Sequence, residues 1–84
     1  MTKPAFDKED LRELVADVLD VELADVGDET RFVDDLDVDS LTALELIVRL
    51  ERTYGIRLEE SDVRQVTCLD QTYDLMTSKL TRAV

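Results

Sequence analysis

The stretch Asp34-Asp35-Leu36-Asp37-Val38-Asp39-Ser40-Leu41, followed by an unbroken helical run from Thr42 to Tyr54, decides how this chain is read. It sets one serine among carboxylates at the mouth of a helix. Each helical residue turns by about 100°, so Ala43, Leu46, Ile47, Leu50 and Tyr54 share an arc of roughly 100°, the width of an ordinary core-facing stripe. Leu41, Leu44 and Val48 occupy a neighbouring arc about 60° wide, and the apolar surface extends over about 220° before Glu45, Arg49 and Arg52 close it. One core face does not need that much. Either the helix is packed on two sides, or Leu41, Leu44 and Val48 form a small exposed patch that docks something.

Ser40 has a purely structural reading. Ser and Asp are favoured helix N-caps because a side-chain oxygen accepts from the free amides of the first turn, so Asp39 or Ser40 fills that role on spacing alone. A capping serine is worth about 1 kcal/mol on replacement by alanine. A calcium reading fails. Asp35, Asp37 and Asp39 match the first, third and fifth ligand positions of an EF-hand loop, but Ser40 stands where the sharp turn needs Gly and Leu46 where a bidentate Glu is required. Weak, nonspecific divalent binding to the acidic cluster stays open.

The composition narrows the function. An 84-residue chain reads as one domain, 1–84, and at that size it buries only about 62% of its unfolded surface, which leaves little room for an enclosed catalytic pocket. Ten basic against 21 acidic residues give a net charge of -11, which repels phosphate backbones and anionic membranes and favours basic protein surfaces. There is no His, and one Cys cannot form an internal disulfide. That removes most metal sites and nucleophilic triads. No long apolar stretch signals a membrane span or a signal peptide, so a cytoplasmic protein is expected.

Taken in order, Met1 to Ala5 reads as a loose lead-in. The first helix is capped by Asp7, with Phe6 and Leu11 at the two positions of a hydrophobic staple, and Leu11, Leu14, Val15, Val18 and Leu19 recur on one face. From Glu22 to Asp39 the periodicity is lost and a long loop is expected, pinned by Leu23, Val26, Phe32 and Leu36. Gly55 suits the left-handed end of the second helix. Ile56-Arg57-Leu58 is too short to build a sheet. Glu60 to Gln65 reads as a short helix, capped between Glu59 and Ser61 and held by Val63 and Val66. Thr67 then caps a last helix whose Leu69, Tyr73, Met76 and Leu80 form one face, with Cys68 a packed or half-exposed spectator at its start. The expected fold is all-α: a small four-helix bundle of three main helices plus one short helix, with the long loop between the first and second.

Phe32-Val33-Asp34-Asp35-Leu36-Asp37-Val38-Asp39-Ser40-Leu41, then Leu44-Glu45-Leu46, Leu50-Glu51 and Tyr54-Gly55-Ile56, resembles the attachment region of acyl carrier proteins, whose signature is Asp-Ser-Leu at the start of the second helix. The resemblance implies the same bundle, and it implies that Ser40 receives a covalent 4'-phosphopantetheine arm from coenzyme A through a phosphopantetheinyl transferase. The arm's thiol would then carry acyl groups as thioesters. A serine hydroxyl is a poor nucleophile without a base, which fits Ser40 as another enzyme's substrate and the chain as no enzyme. Asp35, Asp37, Asp39, Glu45 and Glu51 would speed encounter with basic docking surfaces of acyltransferase, ketosynthase and tailoring enzymes, and Leu41, Leu44 and Val48 would add apolar contact.

Two features depart from the family pattern. Asp37 stands where Gly is common, and Arg49 and Arg52 interrupt a helix that is acidic almost throughout in fatty-acid carriers. The run from Arg49 to Ile56 looks more like carriers of polyketide pathways. A free-standing, monomeric polyketide-type carrier is therefore expected, with fatty-acid and aminoacyl or peptidyl carriage as alternatives. From other classes, an unmodified acidic helical interaction module and a small acidic metal-binding protein are the competing readings.

Overall fold

A computed structural model describes residues 7–82. The first helix, α1 (Lys8–Leu19), begins where the Asp7 carboxylate accepts the amide of Glu9 at 3.0 Å, satisfying one of the donors a helix start leaves open. It ends at Asp20, which adopts a left-handed φ of 57° and turns its N–H back onto the carbonyls of Ala16 and Asp17. A single 3-10 turn (Leu23–Asp25) follows, then α2 (Ser40–Tyr54), the short α3 (Glu60–Val63) and α4 (Leu69–Arg82). Among the described residues there is no strand, only an isolated antiparallel bridge between Arg31 and Cys68. The four-helix, all-α arrangement is as the periodicity requires. Phe6, half of the expected staple, and the Met1–Ala5 lead-in lie outside the described residues.

The core gathers one stripe from each long helix. Leu11 and Val15 of α1, Leu46 and Leu50 of α2, and Leu69 and Met76 of α4 are buried, with Val26 and Phe32 supplied by the loop. Each such side chain stabilises the fold by roughly 1.5–3 kcal/mol. Thr72 is buried beside them, and its hydroxyl donates to the Cys68 carbonyl at 2.8 Å, so it is not stranded inside.

The long loop is fastened at both edges. The Phe32 N–H donates to the Thr67 carbonyl at 2.9 Å and the Asp70 N–H to the Asp28 carbonyl at 3.0 Å, tying the loop to the start of α4. Arg12 donates to the buried Val26 carbonyl and pairs with Asp28 at 2.6 Å and Glu9 at 2.9 Å, while Lys8 bridges Asp28 and Asp70. Arg12 and Lys8 hold the Asp28 carboxyl below the usual carboxylate range. A buried loop carbonyl needs a donor, and here a helix side chain supplies it.

Four expectations need correction. Leu23 is no anchor: it is 47% exposed, because the 3-10 turn faces it outward, and Val26, Phe32 and the half-buried Leu36 do the pinning. The second helix starts at Ser40, two residues before Thr42. The short helix ends at Val63 instead of Gln65, and at 39% exposed Val63 does little to hold it. Thr67 does not cap α4, which begins at Leu69 with its first carbonyl bond going to Cys68 from the Thr72 amide, while the Thr67 carbonyl is committed to Phe32.

What holds α3 is polar. The Leu58 N–H donates to the Glu51 carboxylate at 2.8 Å, the Glu59 N–H to Asp62 at 2.9 Å, and Asp62 meets Lys79 of α4 at 2.5 Å with side chains only 12% and 21% exposed. Removing one partner of a nearly buried pair strands the other charge. Lys79→Met should therefore lower unfolding free energy by about 2 kcal/mol in a urea titration, whereas Arg64→Met, which breaks an exposed pair with Glu60, should change it by less than about 0.5 kcal/mol.

Candidate functional site

The start of α2 is set by Asp39. Its backbone is extended, and its carboxylate accepts the Thr42 amide at 2.8 Å. That bond holds the Asp39 carboxyl below the usual carboxylate range, so the cap is charged at neutral pH and is lost only in acid, as pH falls through the depressed value. With Asp39 as the cap, Ser40 becomes the first helical residue. It is exposed, its hydroxyl is not spent on capping, and it stands at the positive end of a 15-residue helix, where an anionic phosphodiester on its oxygen would be favoured.

The loop delivers Asp39 through Asp37, whose φ of 56° lies in the left-handed region. Glycine enters this region freely, and among other residues Asp is one of the few that visit it. Asp37, where the family commonly has Gly, thus adopts a conformation that Gly enters freely. Around it the Val38 N–H reaches the Phe32 carbonyl at 3.0 Å and the Asp35 carboxylate accepts the Arg31 amide at 2.9 Å.

Leu41, Leu44 and Val48 are 66%, 59% and 41% exposed, which decides between the two readings of the wide apolar arc: α2 packs on one side only. Glu45 is exposed among them. The remaining acidic residues are more committed. Asp35 and Asp39 are exposed but hydrogen-bonded to backbone amides, Asp37 makes the left-handed turn, and Glu51 holds Leu58 about 16 Å along the helix from Ser40. Arg49 is drawn to Asp17 of α1 at 2.5 Å, so part of the positive charge on α2 serves to fasten two helices. Among the described residues no group of three His, Cys, Asp or Glu side chains is arranged to share a metal ion.

On the other side of Ser40 a cleft of about 310 Å³ runs between α2, the loop and α3. Phe32, Val33, Val38, Ala43, Leu44, Leu46, Ile47, Val63 and Val66 line it, with Ser40 at its rim. Sequence reasoning assigned Phe32 and Val66 to packing and gave Val33 no role. The family resemblance implies a part-opened cleft between the second and third helices, but no spacing along the chain names the residues that line it. Among the described residues no helix is long and apolar enough to cross a membrane.

Comparison with known proteins agrees with this geometry. Residues 9–76 match the family described as "Phosphopantetheine attachment site". The chain is 60% identical over 79 residues to the polyketide-8 synthase acyl carrier protein 2 of Streptomyces avermitilis, covering 94% of this chain and 91% of that one. Among solved structures, the oxytetracycline acyl carrier protein superposes with a TM-score of 0.74 at 28% identity, covering 98% of this chain and 90% of that one. The holo acyl carrier protein of Geobacter metallireducens gives 0.76 at 28% identity, covering 90% and 87%. The chain belongs to the phosphopantetheine-attachment family, as an acyl carrier protein. Its cofactor is the covalent 4'-phosphopantetheine arm, and it is a carrier and not an enzyme. Members of this family work with phosphopantetheinyl transferases and synthase enzymes.

Two stability measurements test the local geometry. Ser40→Ala should leave the unfolding free energy within about 0.5 kcal/mol of the parent, because the cap is elsewhere; a loss near 1 kcal/mol would return the capping role to Ser40. Asp37→Gly should raise it by up to about 1 kcal/mol by relieving the left-handed strain, and Asp37→Val should lower it by more than that.

Proposed function

We propose that Ser40 Oγ is the attachment atom and that the chain carries acyl intermediates of polyketide or related specialised biosynthesis. The observation that carries the first part is that Asp39 caps α2 and leaves the exposed Ser40 hydroxyl unspent. In the transfer, Ser40 Oγ attacks the pantetheine-side phosphorus of coenzyme A. The pyrophosphate P–O bond breaks, adenosine 3',5'-bisphosphate leaves, and the serine proton passes to a base on the transferase, since this chain has no His to take it. The polyketide assignment is supported by the 60% identity to a polyketide synthase carrier and by the likeness to the oxytetracycline carrier. Fatty-acid and aminoacyl carriage are the readings it displaces.

Docking follows from the same face. Leu41, Leu44 and Val48 offer apolar contact, and Asp35, Asp37, Asp39, Glu45 and Glu51 supply a negative field that draws in basic partner surfaces, such as those of a phosphopantetheinyl transferase, an acyltransferase or a ketosynthase. Asp39, whose carboxyl the Thr42 amide holds below the usual carboxylate range, still contributes its charge to that field. Encounter is fast, weak and sensitive to salt, as a carrier that must leave each partner requires. A net charge of -11 opposes self-association, which supports a monomer. The core shared by α1, α2 and α4 supports the whole chain, 1–84, acting as one carrier domain.

Intact mass after incubation with coenzyme A, magnesium and a broad-specificity phosphopantetheinyl transferase tests the reading. The parent should gain one phosphopantetheine and the Ser40→Ala variant none. A folded parent that gains nothing, beside a control carrier that is modified, would sink the proposal.

A further inference from the structure

The exposed stripe of α2 ends in a cation. At about 100° per residue Arg52 falls between Val48 and Glu45 in the arc they share with Leu41 and Leu44, about 18 Å along the helix from Ser40. Arg52 is exposed, and no carboxylate answers it. The residues three and four positions away are Val48, Arg49, Gly55 and Ile56, none of them acidic. Glu51 beside it is turned about 100° away and accepts the Leu58 amide, and Asp17 is taken by Arg49. Among the described side chains only Arg57, beyond the end of α2, shares this lack of an ion pair. An open depression lined by Leu44, Glu45, Val48, Arg49 and Arg52 surrounds the guanidinium. The helix dipole favours a cation anywhere around the last turn, which does not require that cation to stand in the exposed stripe.

We infer that Arg52 sets docking specificity: it pairs with an acidic side chain on the ketosynthase, about 18 Å from where that enzyme receives the arm, and it repels enzymes whose docking surface stays basic along its whole length. This rests on the reading of Ser40 as the attachment point and of the exposed stripe as the docking face. The separation decides that both charges are read. With a Debye length of ~8 Å at physiological ionic strength, the carboxylate of Asp39 lies about two such lengths from Arg52 and does not mask it. A partner therefore meets two ends of opposite sign, with Leu44 and Val48 between them. A transferase needs only Ser40 and the acidic end. An enzyme that must take cargo from this carrier and refuse other acidic carriers gains its discrimination from the second contact. An exposed ion pair of this kind changes affinity by about 1.5- to fivefold, and reversing its charge adds repulsion to the loss.

The test compares the full chain with Arg52→Glu and Arg57→Glu, two variants of equal net charge, in two reactions. In the first, the broad-specificity transferase loads each protein from butyryl-coenzyme A, followed by intact mass. In the second, the loaded arm passes butyryl to a thiol of the ketosynthase of its own synthase, freeing the arm's thiol, in single turnovers over a range of carrier concentrations. Arg52→Glu should raise the half-saturating carrier concentration at least about threefold with the limiting rate unchanged, and its loading should be no slower than the parent's. Arg57→Glu should slow neither reaction. Recognition through acidity alone gives the opposite sign, because added negative charge speeds both reactions. Arg52→Gln, with an expected rise of about 1.5- to fivefold, serves if Arg52→Glu does not fold. An unchanged or lower half-saturating concentration in the Arg52 variants, an equal rise in Arg57→Glu, or an equal slowing of loading overturns the inference while the attachment reading stands. Absence of any mass gain overturns both.

Discussion

One short contact organises the functional end of this molecule: the Asp39 carboxylate on the Thr42 amide. A helix start leaves four donors open, and whichever side chain answers them is used up in doing so. Because Asp39 answers, α2 begins at Ser40 and the serine is exposed with its hydroxyl unspent. Leu46, Ile47 and Leu50 turn into the core, Leu41, Leu44 and Val48 turn to solvent, and Ala43 and Leu44 form a wall of the cleft. Moving the helix start by one residue would leave that register unchanged but would spend the serine.

A second constraint is charge. With 21 acidic and ten basic side chains, the fold has few cations to distribute. Lys8, Arg12, Arg31, Arg49, Arg64 and Lys79 are each engaged with carboxylates. The least exposed of these, Arg12 and Lys79, fasten the loop and α3 to the long helices. The cations thus stitch elements together, and the acidic surface near Ser40 is left largely uncompensated. The same distribution that holds the bundle produces the field that a basic partner would feel.

Most of the architecture was legible from local rules. Helical spacing located the three long helices and their buried faces, Asp7 and Gly55 marked ends that the structure confirms, and the wide arc on α2 left two readings open, of which the structure shows the exposed patch. Errors fell where local rules give equal support to neighbouring residues. Thr67 and Leu23 were each acceptable as a cap or an anchor. Their actual roles were set by Phe32 claiming the Thr67 carbonyl and by a 3-10 turn that faces Leu23 outward.

The sequence by itself determined what depends on residues three or four apart: the helices, their apolar stripes, and a serine at the mouth of α2 with carboxylates before it. Those features rest on helical geometry and capping chemistry, which act within a turn or two. Only the tertiary structure decided which of two adjacent residues caps α2, how Asp37 carries the loop through a left-handed turn, and that Val33, Ile47, Val63 and Val66 meet in one apolar cleft beside Ser40. These depend on where segments up to about thirty residues apart come to rest, and no periodicity along the chain encodes that separation.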